Sequence, residues 1–416
     1  MPCLLTSRHI HRAAISVAYR DVKVSFPGTL SSIPSQLRLY PDLGTLVRSL
    51  DLSDELGAAA SPNLEKQGNP LCDFLNLTPL LQHFRIGVSF QHFLNSATLR
   101  TLLCDLKMIQ SIDFSQCHSP SFALEFLSLC SDPALRVSPY MKSLSLHGCK
   151  DLPPEIFKAI LYQLPRLQLL DVKNTQIPAH ALLSIPKTAR ITHLNINQCD
   201  FLSTSEITEF LTTHLAVTLT LLSLEAATSQ DVPGLTEDQV TAILSKAPST
   251  LRSLNLKNSE MTSKHLPLLQ KLSHQLTELT VGSHLRLRDI EALFVSPSEL
   301  EAEVSHTPAP EARVEPKHHT VLSPLEEAVS ICKLRSRSNS ASFSKPGSAL
   351  RYLDLSGMRM EEQEKLRRSV LFGTGLEIIE VSEGKGLKVA GMERLWRAVG
   401  WEMISEGRRA WFQRIT

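Results

Sequence analysis

The run Arg335-Ser336-Arg337-Ser338-Asn339-Ser340-Ala341-Ser342 is the stretch whose residue types most plainly invite a covalent reaction. Arginines upstream of serines suit basophilic kinases. Phosphate on Ser338, Ser340 or Ser342 would add a charge of about −1.5 to −2 per site. There the serine is a substrate, not a catalyst. Other chemistries lack their residue sets. The chain has no G-x-x-x-x-G-K-[ST] phosphate loop, no H-E-x-x-H pair and no G-x-S-x-G elbow. Gly384-Lys385-Gly386 reads as a turn, and His318-His319 stands without further ligands. The 8 cysteines form no C-x-x-C pair, so neither a zinc site nor a disulfide framework is expected. No metal or cofactor is expected, and the chain is not expected to be an enzyme.

What remains is binding chemistry on short strands. In Ser143-Leu144-Ser145-Leu146-His147, apolar and polar residues alternate with period two, the pattern of a strand with one buried face. The residue between two buried positions points outward, and across the chain this row reads Asp51, Arg85, Asp113, Ser145, Asp171, Asn195, Ser223, Asn255, Thr280, Asp354, Glu380. It is polar with an acidic bias. Flanking residues add His147, Lys173, His193, Glu225, Lys257 and Tyr352, and Leu169, Leu221 and Ile378 are apolar where polar residues would serve. The candidate partner contacts are Asp113, Ser145, His147, Leu169, Asp171, Lys173, His193, Asn195, Leu221, Glu225, Asn255, Lys257, Tyr352 and Asp354. Apolar residues on such a face suit a protein partner.

The elements that place these residues repeat. Met141, Leu144, Leu146 and Cys149 fill an L-x-x-L-x-L-x-x-C frame, and Leu167, Leu170 and Val172 restart it 26 residues later, with Asn174 at its turn. Further frames begin at Ile191, Leu219, Leu251 and Leu276, with turns at Cys199, Ala227, Asn258 and His284. Helices are expected between strands, at 205–215, 236–246, 262–273 and 287–295, with Ser205 and Thr236 as N-caps. A period in this range is that of leucine-rich repeats, whose single unit cannot bury both its faces. The fold class is therefore α/β: a leucine-rich-repeat solenoid, a horseshoe of about ten or eleven coils of roughly 24–32 residues with parallel strands on its concave face and helices on its convex face.

The turn cysteines, Cys117, Cys149 and Cys199, resemble those of the cysteine-containing leucine-rich repeats common in F-box proteins. Residues 1–26 resemble the second half of an F-box. Leu5, Ser7-Arg8, His11, Ala13-Ala14 and Tyr19-Arg20 stand where that family carries a leucine, Ser/Cys-Arg, an aromatic or His, two small residues and Tyr-Arg. The family's opening L-P-x-E helix has no counterpart among them. The resemblance implies a substrate receptor of a cullin-type ubiquitin ligase. Leu4, Leu5 and Ile10 would meet a Skp-type adaptor and the concave face would select the target, the chain acting as a monomer within that complex. Read from the residues alone, the same stretch is a cap helix over the first coil. A repeat scaffold without ubiquitin-ligase ties, and a Ran-type GTPase-activating protein, share the fold class.

Five segments follow: 1–26, partial F-box-like or cap helices; 27–295, repeats; 296–349, a Ser/Pro/Arg-containing insertion expected to be disordered, with one short helix at 324–334; 350–390, the last repeats; and 391–416, a helical cap using Leu395, Val399 and Met403. Arg397, Arg408, Arg409 and Trp411 could instead form a basic aromatic patch. A net charge of +1 and 6% aromatic residues give no reason to expect nucleic acid. With no run of about 18 apolar residues and no secretory leader, neither membrane insertion nor export is expected. Reduced core cysteines point to the cytoplasm or nucleus.

Overall fold

The computed structural model describes residues 7–53, 69–199, 201–213, 218–225, 234–294, 348–382, 396–397, 400–406 and 409–415. Leu4, Leu5, Ala227, His318-His319, the 324–334 helix, the serines of the Arg/Ser run, the Gly384-Lys385-Gly386 turn, Leu395, Val399 and Arg408 lie outside these residues. The chain forms two compact units, Met1–Leu219 and Thr220–Thr416.

The first unit carries strands β1 (Asp21–Lys23), β2 (Ser49–Leu52), β3 (His83–Ile86), β4 (Ser111–Asp113), β5 (Ser143–Ser145), β6 (Leu169–Asp171) and β7 (His193–Asn195). Each pairs in parallel with the next in sequence. Its helices are α1 (Arg8–Ala18), α2 (Pro27–Leu30), α3 (Ile33–Leu39), α4 (Pro41–Gly44), α5 (Pro70–Leu77), α6 (Ser96–Arg100), α7 (Pro120–Cys130), α8 (Pro154–Leu161), α9 (Ala179–Leu183) and α10 (Thr204–Thr213). α5 packs on α3, and from α6 to α10 each helix packs on the one before it. The pattern is a leucine-rich-repeat solenoid. The second unit repeats it with β8 (Leu221–Ser223), β9 (Ser253–Asn255), β10 (Glu278–Thr280), β11 (Tyr352–Asp354) and β12 (Ile378–Ser382), all parallel. Its helices are α11 (Glu237–Ser245), α12 (Leu266–Leu272), α13 (Leu287–Glu291) and α14 (Met360–Glu364).

Leucines at period two account for the core. Ile112 and Phe114, Leu144 and Leu146, Leu170 and Val172 are all at most 1% exposed, and the helices contribute Phe122, Phe126, Phe157 and Ile160. Burying each such side chain is worth about 1.5–3 kcal/mol, and one coil alone could not enclose them. Register is reinforced at the strand entry. There one carbonyl accepts two successive N–H groups of the next coil, as Gln110 does from Lys142 (2.7 Å) and Ser143 (2.9 Å).

The turn differs from the expected frame. Gly148, Asn174 and Asn258 occupy one equivalent position, four residues past the central leucine, with φ of 74°, 57° and 62°. Gln116 and Gln198 share it, with φ of 68° and 55°. This left-handed corner favours glycine and asparagine. Cysteine belongs one residue later, where Thr175 and Ser259 are the counterparts of Cys149 and Cys199. There the side chain donates to a strand-end carbonyl. Cys149 Sγ reaches Phe114 O (3.1 Å) and Cys199 Sγ reaches Val172 O (3.1 Å), both in the preceding coil, whereas Thr175 Oγ1 bonds Val172 O of its own (2.7 Å). Burial pushes the Cys117 thiol up to about 12 and Cys149 well above its ordinary value, so both stay protonated donors.

Two caps were placed differently by sequence. Thr236 and Gln239 form the expected capping box, but α10 is capped by Ser203 with Glu206, not by Ser205. From Trp401 on, the expected C-terminal helix gives way to a hairpin, while Trp396 and Arg397 are helical: β13 (Trp401–Glu406) and β14 (Arg409–Arg414) are antiparallel, and β14 lies antiparallel on β12. Trp401, Ala410 and Phe412 alternate into the core, and β12 offers an edge of backbone groups that a helix could not satisfy. Met403, assigned to the helical stripe, sits in β13.

The insertion leaves the repeat register intact. β10 and β11 pair Leu279 with Leu353 as though consecutive. On the helical side, Leu287 N donates to Glu362 Oε2 (2.9 Å), and Ser369 Oγ donates to Glu291 Oε1 (2.6 Å).

Candidate protein-recognition face

Register sets the outward face. In the first unit Asp113, Ser145, Asp171 and Asn195 stand side by side on successive strands; in the second, Asn255, Thr280, Asp354 and Glu380 do. Their side chains do more than meet solvent. At the end of six strands the middle-row oxygen accepts the N–H two residues on. Asp51 binds Ser53 N (2.8 Å), Asp113 binds Ser115 N (2.9 Å), Asp171 binds Lys173 N (3.1 Å), Asn195 binds Asn197 N (3.3 Å), Asn255 binds Lys257 N (2.9 Å) and Asp354 binds Ser356 N (2.8 Å). This Asx turn satisfies a donor that the strand leaves behind. The acidic bias of the row thus has a backbone cause, which the sequence reading did not assign.

The candidates divide accordingly. Ser145 and Asp354 are buried, and Ser145 Oγ lies 2.8 Å from Ser115 Oγ, so neither is placed to grip a partner in this conformation. Asp113, Asp171, Asn195 and Asn255 are half-buried turn formers, and Asp113 also meets Arg85 at 3.3 Å. His193 is exposed, while His147, Lys173, Leu169 and Leu221 are half-buried. In the second unit Lys257 lies 4.0 Å from Glu225, and Asn255 Nδ2 donates to Ser223 Oγ (3.1 Å). Tyr352 donates its hydroxyl to the Glu380 carboxylate, and burial, reinforced by that bond, holds the phenol proton well above its usual range.

Glu380 and Arg409 form a centre that the sequence reading did not single out. Arg409 Nε and Nη2 donate to the two Glu380 oxygens, each at 2.7 Å. Burial alone would raise Glu380, yet the arginine fork and the Tyr352 hydroxyl bring it below the ordinary carboxylate range. Arg409 therefore neutralises a buried acid and is not part of an open basic patch. Trp411 lies beside it, cross-strand from Glu380 and half-buried.

Asp171 is held differently. Burial raises its carboxyl above the ordinary value, against the Lys173 N–H, His147 and the Asn195 side chain, and Asp113 adds to the rise. A carboxyl raised in the folded state contributes stability below its unfolded value, about 3.9, and that contribution disappears as pH rises through the folded value. Asp171→Asn keeps the turn acceptor and removes the charge. In urea unfolding it should be more stable than the parent at neutral pH, with the gap closing as pH falls toward about 4. Asp171→Ala, which looks nearly neutral from sequence alone, should instead lose about 0.5–1.5 kcal/mol with its turn bond. A pH-independent gap for the Asn variant would contradict this assignment.

Among the described residues no helix is long and apolar enough to cross a membrane, and no group of three or more His, Cys, Asp or Glu side chains is placed to hold a metal ion.

No protein-family model matches the chain. It is similar to the F-box protein YLR352W of Saccharomyces cerevisiae, with 28% identity over 162 residues. That match covers 36% of this chain and 20% of the relative, so the chain corresponds to about a fifth of that protein's length. Among solved structures, the crystal structure of the Rad7 and Elc1 complex in yeast matches with TM-score 0.46 and 19% identity, covering 62% of this chain and 63% of that one. A leucine-rich repeat protein from Bacteroides thetaiotaomicron matches with TM-score 0.22 and 12% identity, covering 68% of this chain and 34% of the other.

Proposed function

We propose that the chain is the substrate-recognition subunit of a cullin-type ubiquitin ligase. Its N-terminal segment docks a Skp-type adaptor, and its outward strand face selects a protein target. It acts by binding and positioning, as one copy within the complex. The observation that carries this reading is the similarity to an F-box protein in a chain built of cysteine-turn repeats. The surface of α1 supports it. Ile10 and Val17 lie two turns apart on one side of the helix and are 48% and 74% exposed; Phe26, Leu39 and Tyr40, further along the chain, are also exposed. On the strand face of the first unit, His193, Lys173, His147 and the apolar Leu169 are side chains left to a partner once the turn formers are set aside, and on that of the second unit Leu221 is. Phosphorylation of Ser338, Ser340 or Ser342 would regulate this receptor.

Co-purification of the full chain with a Skp-type adaptor tests the reading. The parent chain should retain the adaptor, and Ile10→Asp, a surface change that leaves the repeats folded by circular dichroism, should weaken retention by about tenfold or more. A folded parent chain that retains no adaptor would overturn the reading, and target capture by that same chain would then identify a scaffold.

A further inference from the structure

The strand-entry edge of the first unit is strongly basic, and neither the turns nor the adaptor reading uses it. Because β4 to β7 pair in strict register, residues at equal offsets from the central strand position are neighbours. Four residues before that position stand Tyr140, Arg166 and Arg190, on successive coils and all exposed. Lys142, Arg136 and Lys187 lie within four residues of them in sequence and are also exposed. The Arg166 guanidinium lies over the Tyr140 ring at 4.9 Å, which holds one cation of the row in place.

These charges are only partly answered: Arg136, with Arg100, helps hold the Asp132 carboxyl below its ordinary value, Arg100 contributing most. Among the described residues none of the five basic side chains forms an ion pair, and of the carboxylates on this edge Asp132 is taken by Arg100 at 2.5 Å. Lys142 bonds the neutral Gln110 side chain (3.0 Å), and Arg136 bonds its own loop carbonyls. Helix dipoles do not account for the row. A dipole acts within the last turn, and Arg166 and Arg190 lie beyond that distance from the ends of α8 and α9. The second unit puts Thr250, Gln275 and Ala349 at the offset of Tyr140, Arg166 and Arg190, so the Arg166/Arg190 row is particular to these coils, whereas at the offset of Lys142 a basic residue recurs as Arg252 and Arg351.

We propose that this edge docks an acidic segment of a protein partner. Arginine forks match carboxylates in pairs, and the Tyr140 face adds an apolar floor. From the Tyr140 coil to the Arg190 coil the row spans two strand spacings, roughly 10 Å, the reach of about three extended residues. A duplex would need a longer track, since proteins gripping DNA neutralise about 6–10 phosphates. The proposal does not depend on adaptor binding.

Fluorescence anisotropy of the full chain with a short polyglutamate peptide tests it, with polyglutamine, an oligothymidine and phosphatidylserine vesicles as the other probes. Polyglutamate should bind and polyglutamine should not. Affinity should fall about tenfold in R166E/R190E and several-fold between about 50 and 200 mM salt. If the double reversal lowers the melting temperature, R166Q and R190Q should each show a smaller loss on an unaltered fold. Polyglutamate binding that is absent, or equal in the variants, would overturn the proposal. So would tighter, variant-sensitive binding of the oligonucleotide or the vesicles, which would assign the edge to nucleic acid or to a lipid surface.

Discussion

Leu146→Asp is expected to abolish folding of the central coils of the first unit. Leu146 is 1% exposed, and its position is matched in neighbouring coils by Phe114, Val172 and Ile196, all buried. Aspartate there would bury a carboxylate with no partner and remove a leucine's packing together, at a cost of about 4 kcal/mol or more. Whole domains are stable by only about 5–15 kcal/mol, so the change consumes much of the margin. Leu146→Ala is the control. It should cost about 2–5 kcal/mol and leave a cooperative urea transition, since a cavity removes packing without adding a charge. Hydrogen exchange should show protection lost first in β4 to β6. A Leu146→Asp protein with parental protection there would place this side chain on the wrong face.

Phe412→Ala should open the C-terminal cap while leaving the first unit folded. Phe412 is fully buried, with ring centroids 5.3 Å from Phe372 and 5.0 Å from Trp396. Phe372 in turn meets Trp401 edge-on at 5.3 Å, and the Trp401 indole donates to Phe372 O at 3.0 Å. Removing this ring forfeits burial and two aromatic contacts, about 3–5 kcal/mol. Tryptophan fluorescence should shift to the red, and exchange protection should fall in β12 to β14. A variant with parental fluorescence would show that the four rings do not act as one cluster. Trp411→Ala, half-buried on the outer side of the same strand, should cost much less.

The strands were legible because their signal is simple. Leu144/Leu146 and Leu170/Val172 must face a core, and period two follows from strand geometry. Three features were not. Asn174 and Cys149 looked equivalent since both are small polar residues near the turn. Only the backbone separates a residue chosen for positive φ from one chosen to donate to a carbonyl. The middle row looked like a binding surface since Asp and Asn on an outward face need no structural reason. The signal that could have found their role is the same residue type recurring at strand ends, which is where Asx turns form. The hairpin within the C-terminal cap was missed since Leu395, Val399 and Met403 fit a helical spacing, while Trp401, Met403, Ala410 and Phe412 fit alternation equally well. A short segment does not decide between the two periods, but the unpaired edge of β12 does. The binding edge at Tyr140 and Arg166 was invisible for a further reason: its residues lie 26 apart in sequence, and only the register makes them neighbours.

The reversed hairpin also bears on how such a chain could lengthen over generations. A new repeat copied onto the end of an array needs a parallel edge to join. Here that edge of β12 is taken by β14, which runs the other way, and Arg409 locks the two strands together through Glu380. A duplicated coil appended beyond β12 would have to displace the hairpin and expose both the buried acid and the aromatic cluster. Duplication between two existing coils costs neither, since each inner coil already presents the same register on both sides. At this side of the array growth by copying is thus confined to the coils before β12, and the hairpin acts as a stop past which gene duplication cannot extend the stack without rebuilding it.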